Sequence, residues 1–276
     1  MKIGVVGLGL IGGSMAKAIK ETKEYIVYGY DIDESTMLAA KLTEAIDEPL
    51  SEENLTDCDI VIVSLYPGAT VNYIINNADK FKKDCLVFDC SGVKRAVCDK
   101  IIPIANEHGF TFIGGHPMAG TQFWGFGSSR ASLFKGASMI LTPCGIQDIS
   151  ILDKAKRFFE SIGFGDTTFA TPDEHDRIIA FTSQLAHVVS SAYVKSPQAT
   201  FRKGFSAGSY KDMTRVAKLN DKMWTELFLE NSDYLADEID TLINNLQQYR
   251  DALVSGNSED LSALLREGKD AKKQVG

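Results

Sequence analysis

Lys2-Ile3-Gly4-Val5-Val6-Gly7-Leu8-Gly9-Leu10-Ile11-Gly12-Gly13-Ser14 is the stretch whose reading decides the fold. Its first five residues form a short apolar run of buried-strand type, and an Ala- and Lys-rich helical stretch follows the glycines. A second β-rich run, Tyr25-Ile26-Val27-Tyr28-Gly29-Tyr30, ends on Asp31. Glycines spaced G-x-G-x-x-G after a strand and at the start of a helix, with an acid closing the next strand, form the fingerprint of a dinucleotide site. Gly7 serves the tight turn, Gly9 lets the backbone approach a pyrophosphate, and Gly12 lets helix and strand pack closely. Leu10, Ile11 and Ser14 stand in the first turn of that helix, whose free N–H groups and positive dipole end favour phosphate. Asp31 can accept hydrogen bonds from a ribose 2′-hydroxyl and repels a 2′-phosphate, which favours NAD over NADP.

Working outward, strands and helices alternate up to about residue 170. Asp59-Ile60-Val61-Ile62-Val63-Ser64-Leu65 and Cys85-Leu86-Val87-Phe88-Asp89 are continuous apolar runs, as for strands buried on both faces. Phe110-Thr111-Phe112-Ile113 and Ser138-Met139-Ile140-Leu141-Thr142 continue the series. The pattern predicts an α/β fold with a Rossmann-type, doubly wound parallel sheet over 1–170. At Thr171-Pro172-Asp173-Glu174 a capping box opens an all-helical part, 171–276. Helices are predicted at 171–195, about 211–219, about 221–254 and 258–272. In the third, Trp224, Leu227, Phe228, Leu235, Ile239, Leu242, Ile243 and Leu246 recur at helical spacing, more apolar face than a thin helical layer covers alone. A second subunit packed on this half is the expectation.

The net charge of −8 argues against a nucleic-acid binder. No run approaches the ~18 apolar residues of a membrane span, and the strand at 2–6 begins with no charged leader, so a cytoplasmic protein is expected. The five cysteines contain no C-x-x-C and read as reduced thiols, not as a metal site or disulfide framework.

In open α/β sheets ligands sit outside the carboxyl ends of the strands. There the sharpest feature is Gly114-Gly115-His116-Pro117-Met118-Ala119-Gly120-Thr121. A histidine between glycines at a strand end can take a proton near neutrality, at its ordinary pKa of about 6.5. The alternative is a loop histidine bonded to a neighbouring carbonyl; the cofactor fingerprint on the same edge favours function. His187, among apolar residues, reads from spacing as a core histidine, while His175 in a first helical turn and His108 near a helix end read as surface residues. Arg215, beyond the glycine-containing loop 205–210, either clamps a carboxylate or pairs with Asp212 or Glu226 at the surface.

These motifs, with Leu141-Thr142-Pro143, Asp212-Met213-Thr214-Arg215, Met223-Trp224 and Phe228-Leu229-Glu230-Asn231, resemble the prephenate/arogenate dehydrogenases of tyrosine biosynthesis, in order over roughly residues 1–250. The resemblance implies a nucleotide-binding domain followed by a helical domain that forms a homodimer. It implies NAD-dependent oxidation of a small anionic cyclohexadienyl substrate coupled to loss of CO2: prephenate to 4-hydroxyphenylpyruvate, or arogenate to tyrosine. His116 then takes the proton of the ring 4-hydroxyl, Arg215 binds a substrate carboxylate, and His187 becomes a second catalytic-site residue. Ser14 and Asp31 belong to the cofactor loop, and Thr121 and Gln122 to the substrate side. Relatives often read Asp-x-Gly-Ser-x-Lys at the strand end; this chain reads Asp89-Cys90-Ser91-Gly92-Val93-Lys94, so Gly92 holds the serine position and Ser91 is the candidate replacement. Gln122 and Trp124 stand where some prephenate-preferring relatives carry an acid and a small residue, which leaves the two substrates open. A hydroxyacid dehydrogenase of related architecture, which usually uses a helix lysine, and a non-catalytic NAD-sensing module are the competing readings.

Overall fold

The computed structural model describes residues 1–205 and 207–275; Ser206, in the loop before Arg215, lies outside the described residues. The chain runs β1 (Lys2–Val6), α1 (Leu10–Thr22), β2 (Ile26–Tyr30), α2 (Glu34–Leu42), β3 (Glu48–Pro49), α3 (Glu52–Leu55), β4 (Ile60–Val63), α4 (Pro67–Asn76), β5 (Leu86–Asp89), α5 (Arg95–His108), β6 (Thr111–Pro117), β7 (Ser138–Thr142), α6 (Ile149–Ser161) and β8 (Asp166–Phe169). The strands form one eight-stranded sheet in the order β3-β2-β1-β4-β5-β6-β7-β8. Successive residues of a strand feed opposite faces. Ile60 and Ile62 enter one core with Ile3, Val5 and Phe88, and Val61 and Val63 enter the other with Val87 and Phe112. This double burial is why the strands read as unbroken apolar runs.

The strand order reverses between β1 and β4, which places a crevice at their carboxyl ends. Two glycines make it possible. Gly7 has φ +82°, and a Cβ there would lie 2.5 Å from the Ser64 carbonyl oxygen. A Cβ at Gly12 would lie 1.9 Å from the Gly7 carbonyl oxygen. Only glycine lets α1 begin this close to both strands.

The sheet departs from the all-parallel expectation at one place. β7 runs antiparallel to β6, with His116 opposite Ile140, and β8 is parallel to β7. The connection over 118–137 holds only short 3₁₀ turns and no crossover helix, so it can return the chain antiparallel. The two-residue β3 was also not foreseen, being too short to carry an alternation signal.

After β8 the described residues carry helices only: α7 (Pro172–Ile179), a π turn (Ala180–Leu185), α8 (Ala186–Tyr193), α9 (Gly208–Thr214), α10 (Asp221–Glu230), α11 (Ser232–Ser255) and α12 (Ser258–Gln274). Thr171 caps α7 through the predicted capping box. The helix predicted at 221–254 is two helices, broken at Asn231. That residue is fully buried, and its amide donates to the Asp176 carbonyl and the Gln184 side chain while accepting from Arg95. Satisfying a buried amide on three sides outweighs helix continuity. No helix among the described residues is long and apolar enough to cross a membrane, and no cluster of metal-ligating side chains occurs among them.

Candidate active site

The glycine-rich loop is fixed from behind by the acid at the end of β2. Asp31 accepts from Leu8 N at 2.8 Å and from Asp33 N at 3.0 Å. Ser14 is fully buried, its hydroxyl donating to the Leu10 carbonyl and accepting from Arg130 N. It therefore shapes the first turn of α1 and ties it to the connection after β6. A Cβ at Gly9 would meet nothing within 4 Å, so this side of the loop is open above the helix N-terminus. Closed backs at Gly7 and Gly12, an open face at Gly9 and a carboxylate at the end of β2 fit a dinucleotide: pyrophosphate at 9–12, ribose diol at Asp31.

Further along the same edge, β5 and β6 end on a sealed ion pair. Lys94 and Asp89 are both fully buried. The Lys94 ammonium also donates to the Gly115 carbonyl at 2.6 Å, and the Asp89 carboxylate accepts from Gly115 N and Ser91 N, each at 2.9 Å. The backbone just before His116 is thus held at both its polar groups. The Ser91 hydroxyl is buried and has no hydrogen-bond partner among the described residues. The position that faces the histidine is the next one: a Cβ at Gly92 would stand 3.9 Å from His116 Nε2 and 3.3 Å from Leu227 of α10.

His116 itself is one end of a chain of three side chains. Its Nδ1 lies 2.8 Å from His175 Nε2, and His175 Nδ1 lies 2.7 Å from the Asp176 carboxylate. His175 is not the surface residue its first-turn position suggests; it is 2 % exposed, because the start of α7 packs against the start of α5. The carboxylate of Asp176 joins those two helices, accepting from Lys94 N at 2.7 Å, Arg95 N at 2.9 Å and Arg95 Nε at 3.2 Å. Burial alone would raise its pKa, but His175 and these donors outweigh burial and hold it below the ordinary carboxylate value. Burial drives His116 well below 6.5, with His175 and the buried Lys94 cation acting the same way. His175 is lowered by burial against the pull of Asp176. Both rings are neutral at pH 7, and the pKa of His116 lies well below the ordinary value expected from its residue type.

The helical part supplies the facing wall. His187 Nδ1 donates to the Val216 carbonyl at 3.0 Å, and its ring lies against Trp224 with centroids 3.9 Å apart. Burial lowers its pKa, the Val216 carbonyl opposing and the nearby Arg215 charge assisting. Arg215 is exposed and forms no ion pair among the described residues. Glu226, one of its two expected surface partners, instead accepts from Gly68 N at the start of α4 at 2.6 Å. Asn220 donates to the Tyr66 hydroxyl at 3.4 Å, a second tie between the strand-end loops and α10. Thr121 and Gln122 are exposed on the loop after β6, where Trp124 receives the Lys218 ammonium over its ring. The structure thus brings His116, Gly92 and Leu227 together, and His187 with Arg215 and Trp224. Sequence reasoning missed His175, Asp176 and Lys94 as parts of the site. His175 and Asp176 stand among Asp173, Glu174 and Arg177 in a polar first turn, which carried no signal of their burial.

The family model described as "Prephenate dehydrogenase, nucleotide-binding domain" matches residues 15–165, and "Prephenate dehydrogenase, dimerization domain" matches 171–267. Among curated proteins, the chain is 29 % identical over 280 residues to the cyclohexadienyl dehydrogenase of Zymomonas mobilis, covering 98 % of this chain and 94 % of that one. It is 27 % identical over 275 residues to the prephenate dehydrogenase of Bacillus subtilis, covering 96 % and 74 %. Among solved structures, prephenate dehydrogenase from A. aeolicus in complex with hydroxyphenyl propionate and NAD+ superposes with a TM-score of 0.83 at 30 % identity, over 100 % of this chain and 98 % of that one. Synechocystis arogenate dehydrogenase superposes with a TM-score of 0.82 at 25 % identity, over the whole of both chains.

Proposed function

The chain belongs to the prephenate dehydrogenase family, and on that footing we propose that it converts prephenate and NAD to 4-hydroxyphenylpyruvate, CO2 and NADH. The observation that carries the reading is His116: a neutral ring at the carboxyl end of β6, hydrogen-bonded among the described residues on Nδ1 only, on the edge where the glycine-rich loop opens.

Bound NAD supplies the hydride acceptor for ring C4 of the substrate. The protein's own work is positioning and charge. His116 Nε2 accepts the proton of the ring 4-hydroxyl as carbonyl character develops at C4. Cleavage of the C1–carboxylate bond then sends its electron pair into the ring, and the new phenolate oxygen takes the proton back from His116. The proton is borrowed and returned, and aromatisation with CO2 release supplies the driving force. Arg215, without an ion pair among the described residues, binds a substrate carboxylate as a fork. His187 lines the helical wall beside it, Thr121 and Gln122 form the rim, and the unpartnered Ser91 hydroxyl is the remaining polar group near the ring-facing position 92.

The second reading is arogenate by the same chemistry, favoured by the Synechocystis neighbour and by Gln122 and Trp124 on the rim. A homodimer and a cytoplasmic location complete the proposal. NADH or NADPH formation with prephenate and arogenate, each offered NAD and NADP, tests it. Turnover of a cyclohexadienyl acid with a large NAD preference is expected, since Asp31 disfavours a 2′-phosphate. Equal use of both cofactors contradicts the Asp31 assignment, and NADH binding without turnover returns the protein to a sensing module.

A further inference from the structure

We infer that His175 and Asp176 are positioning residues that fix His116 in the tautomer with an unprotonated Nε2 and share the positive charge it acquires during turnover.

The proton positions follow from the donors and acceptors along the chain. The Asp176 carboxylate already accepts from Lys94 N, Arg95 N and Arg95 Nε, so it is an acceptor only. His175 Nδ1, at 2.7 Å from it, must carry the hydrogen. In a neutral ring that leaves His175 Nε2 as an acceptor. His116 Nδ1, at 2.8 Å, then donates to it, and the proton of neutral His116 is spent there. Nε2, the atom facing position 92, is the lone-pair end. A second neutral histidine is an unusual orienting group, and the borrowed proton explains its use. When Nε2 takes the substrate proton, His116 becomes a cation whose Nδ1–H points at a polarisable acceptor backed by a carboxylate. The charge is stabilised without any proton leaving the site, and the substrate oxygen recovers the proton at the end of the same turnover. The other charges around the pair are the Lys94 ammonium with Asp89, the Arg95 guanidinium held by Asp233, and Glu230 on α10. Lys94 opposes a cation at His116, which makes the Asp176 carboxylate the compensating charge.

This rests on His116 being the base, and two variants with one spectroscopic readout separate the two claims. His175→Leu removes the acceptor; His175→Gln keeps a side-chain oxygen for His116 Nδ1 but cannot become a cation. His175→Leu should lose roughly ten- to a hundredfold in kcat with KM and NADH affinity nearly unchanged, less than the ~10⁴ seen when a triad tautomer is inverted. His175→Gln should recover much of kcat. In ¹⁵N spectra of histidine-labelled wild-type protein, His116 should show a protonated Nδ1 and a bare Nε2, and His175→Leu should show a mixture. Full activity in folded His175→Leu, equal losses in both variants, or a wild-type His116 protonated on Nε2 would each overturn the inference. The spectrum decides even if His175→Leu does not fold or no cyclohexadienyl acid is turned over.

Discussion

Lys94 and Asp89 meet at 2.5 Å with neither side chain reaching solvent, and between them they grip the peptide groups of Gly115. The pair is therefore a clamp on the residue before His116, and the Lys94 charge also helps keep both site histidines neutral.

Breaking that pair on one side strands a buried charge. Lys94→Met should cost about 3–5 kcal/mol of stability, as for other buried pairs deprived of one partner. The double variant Lys94→Met/Asp89→Leu should recover part of this. Urea midpoints measure both; a single variant as stable as wild type would mean that the pair is not sealed in solution.

The buried neutral histidines set a pH dependence of stability. Unfolded, His116 and His175 titrate near 6.5. Folded, both lie lower, His116 well below. Between those values the unfolded chain binds protons that the folded chain refuses, so stability falls as pH drops below about 6.5. The slope is up to about 1.4 kcal/mol per pH unit for each ring. Urea unfolding between pH 7.5 and 5 should show this loss, and His175→Gln should flatten it. A flat wild-type curve over that range would contradict the neutral pair.

Arg215 forms no ion pair among the described residues and is expected to find one in the substrate. Arg215→Ala should raise KM for the cyclohexadienyl acid roughly ten- to a hundredfold, the equivalent of ~1.5–3 kcal/mol for hydrogen bonds to a charged group. NADH affinity should stay near wild type. An unchanged KM would leave Arg215 as a surface charge.

Ile243 and Leu246 of α11 are 54 % and 59 % exposed, and Leu265 of α12 is 59 % exposed. A monomer rarely leaves such a face uncovered. Sedimentation at micromolar concentration should give a species of two 30.2 kDa chains. A monomer would refute the dimer.

What the sequence disclosed follows the range of the forces involved. The glycine loop was legible because its constraint is local: a positive φ at Gly7 and a turn that fills the space beside Gly12. His116 was legible because a strand end, two glycines and a histidine lie within a few residues. His175 was not, since the contact that buries it joins residues 59 positions apart, and a first helical turn is usually wet. The break at Asn231 was hidden for the same reason: its amide is satisfied by Asp176, Gln184 and Arg95, all remote in the chain. The direction of β7 left no mark, because an apolar strand reads alike in either sense. The pKa of His116 was misjudged from residue type, which carries neither its burial nor the cation of Lys94.

The most direct test of the central claim is kcat of His116→Asn beside wild type, with thermal stability and NADH affinity measured on the same samples. Asparagine keeps a polar side chain of similar reach and removes the base. A kcat loss of ~10²–10⁴-fold, with folding and NADH binding intact and the acid limb of the kcat profile gone, is the predicted result. Near-wild-type kcat, or activity lost only through unfolding, would make His116 a structural residue of the β6 loop and contradict the mechanism.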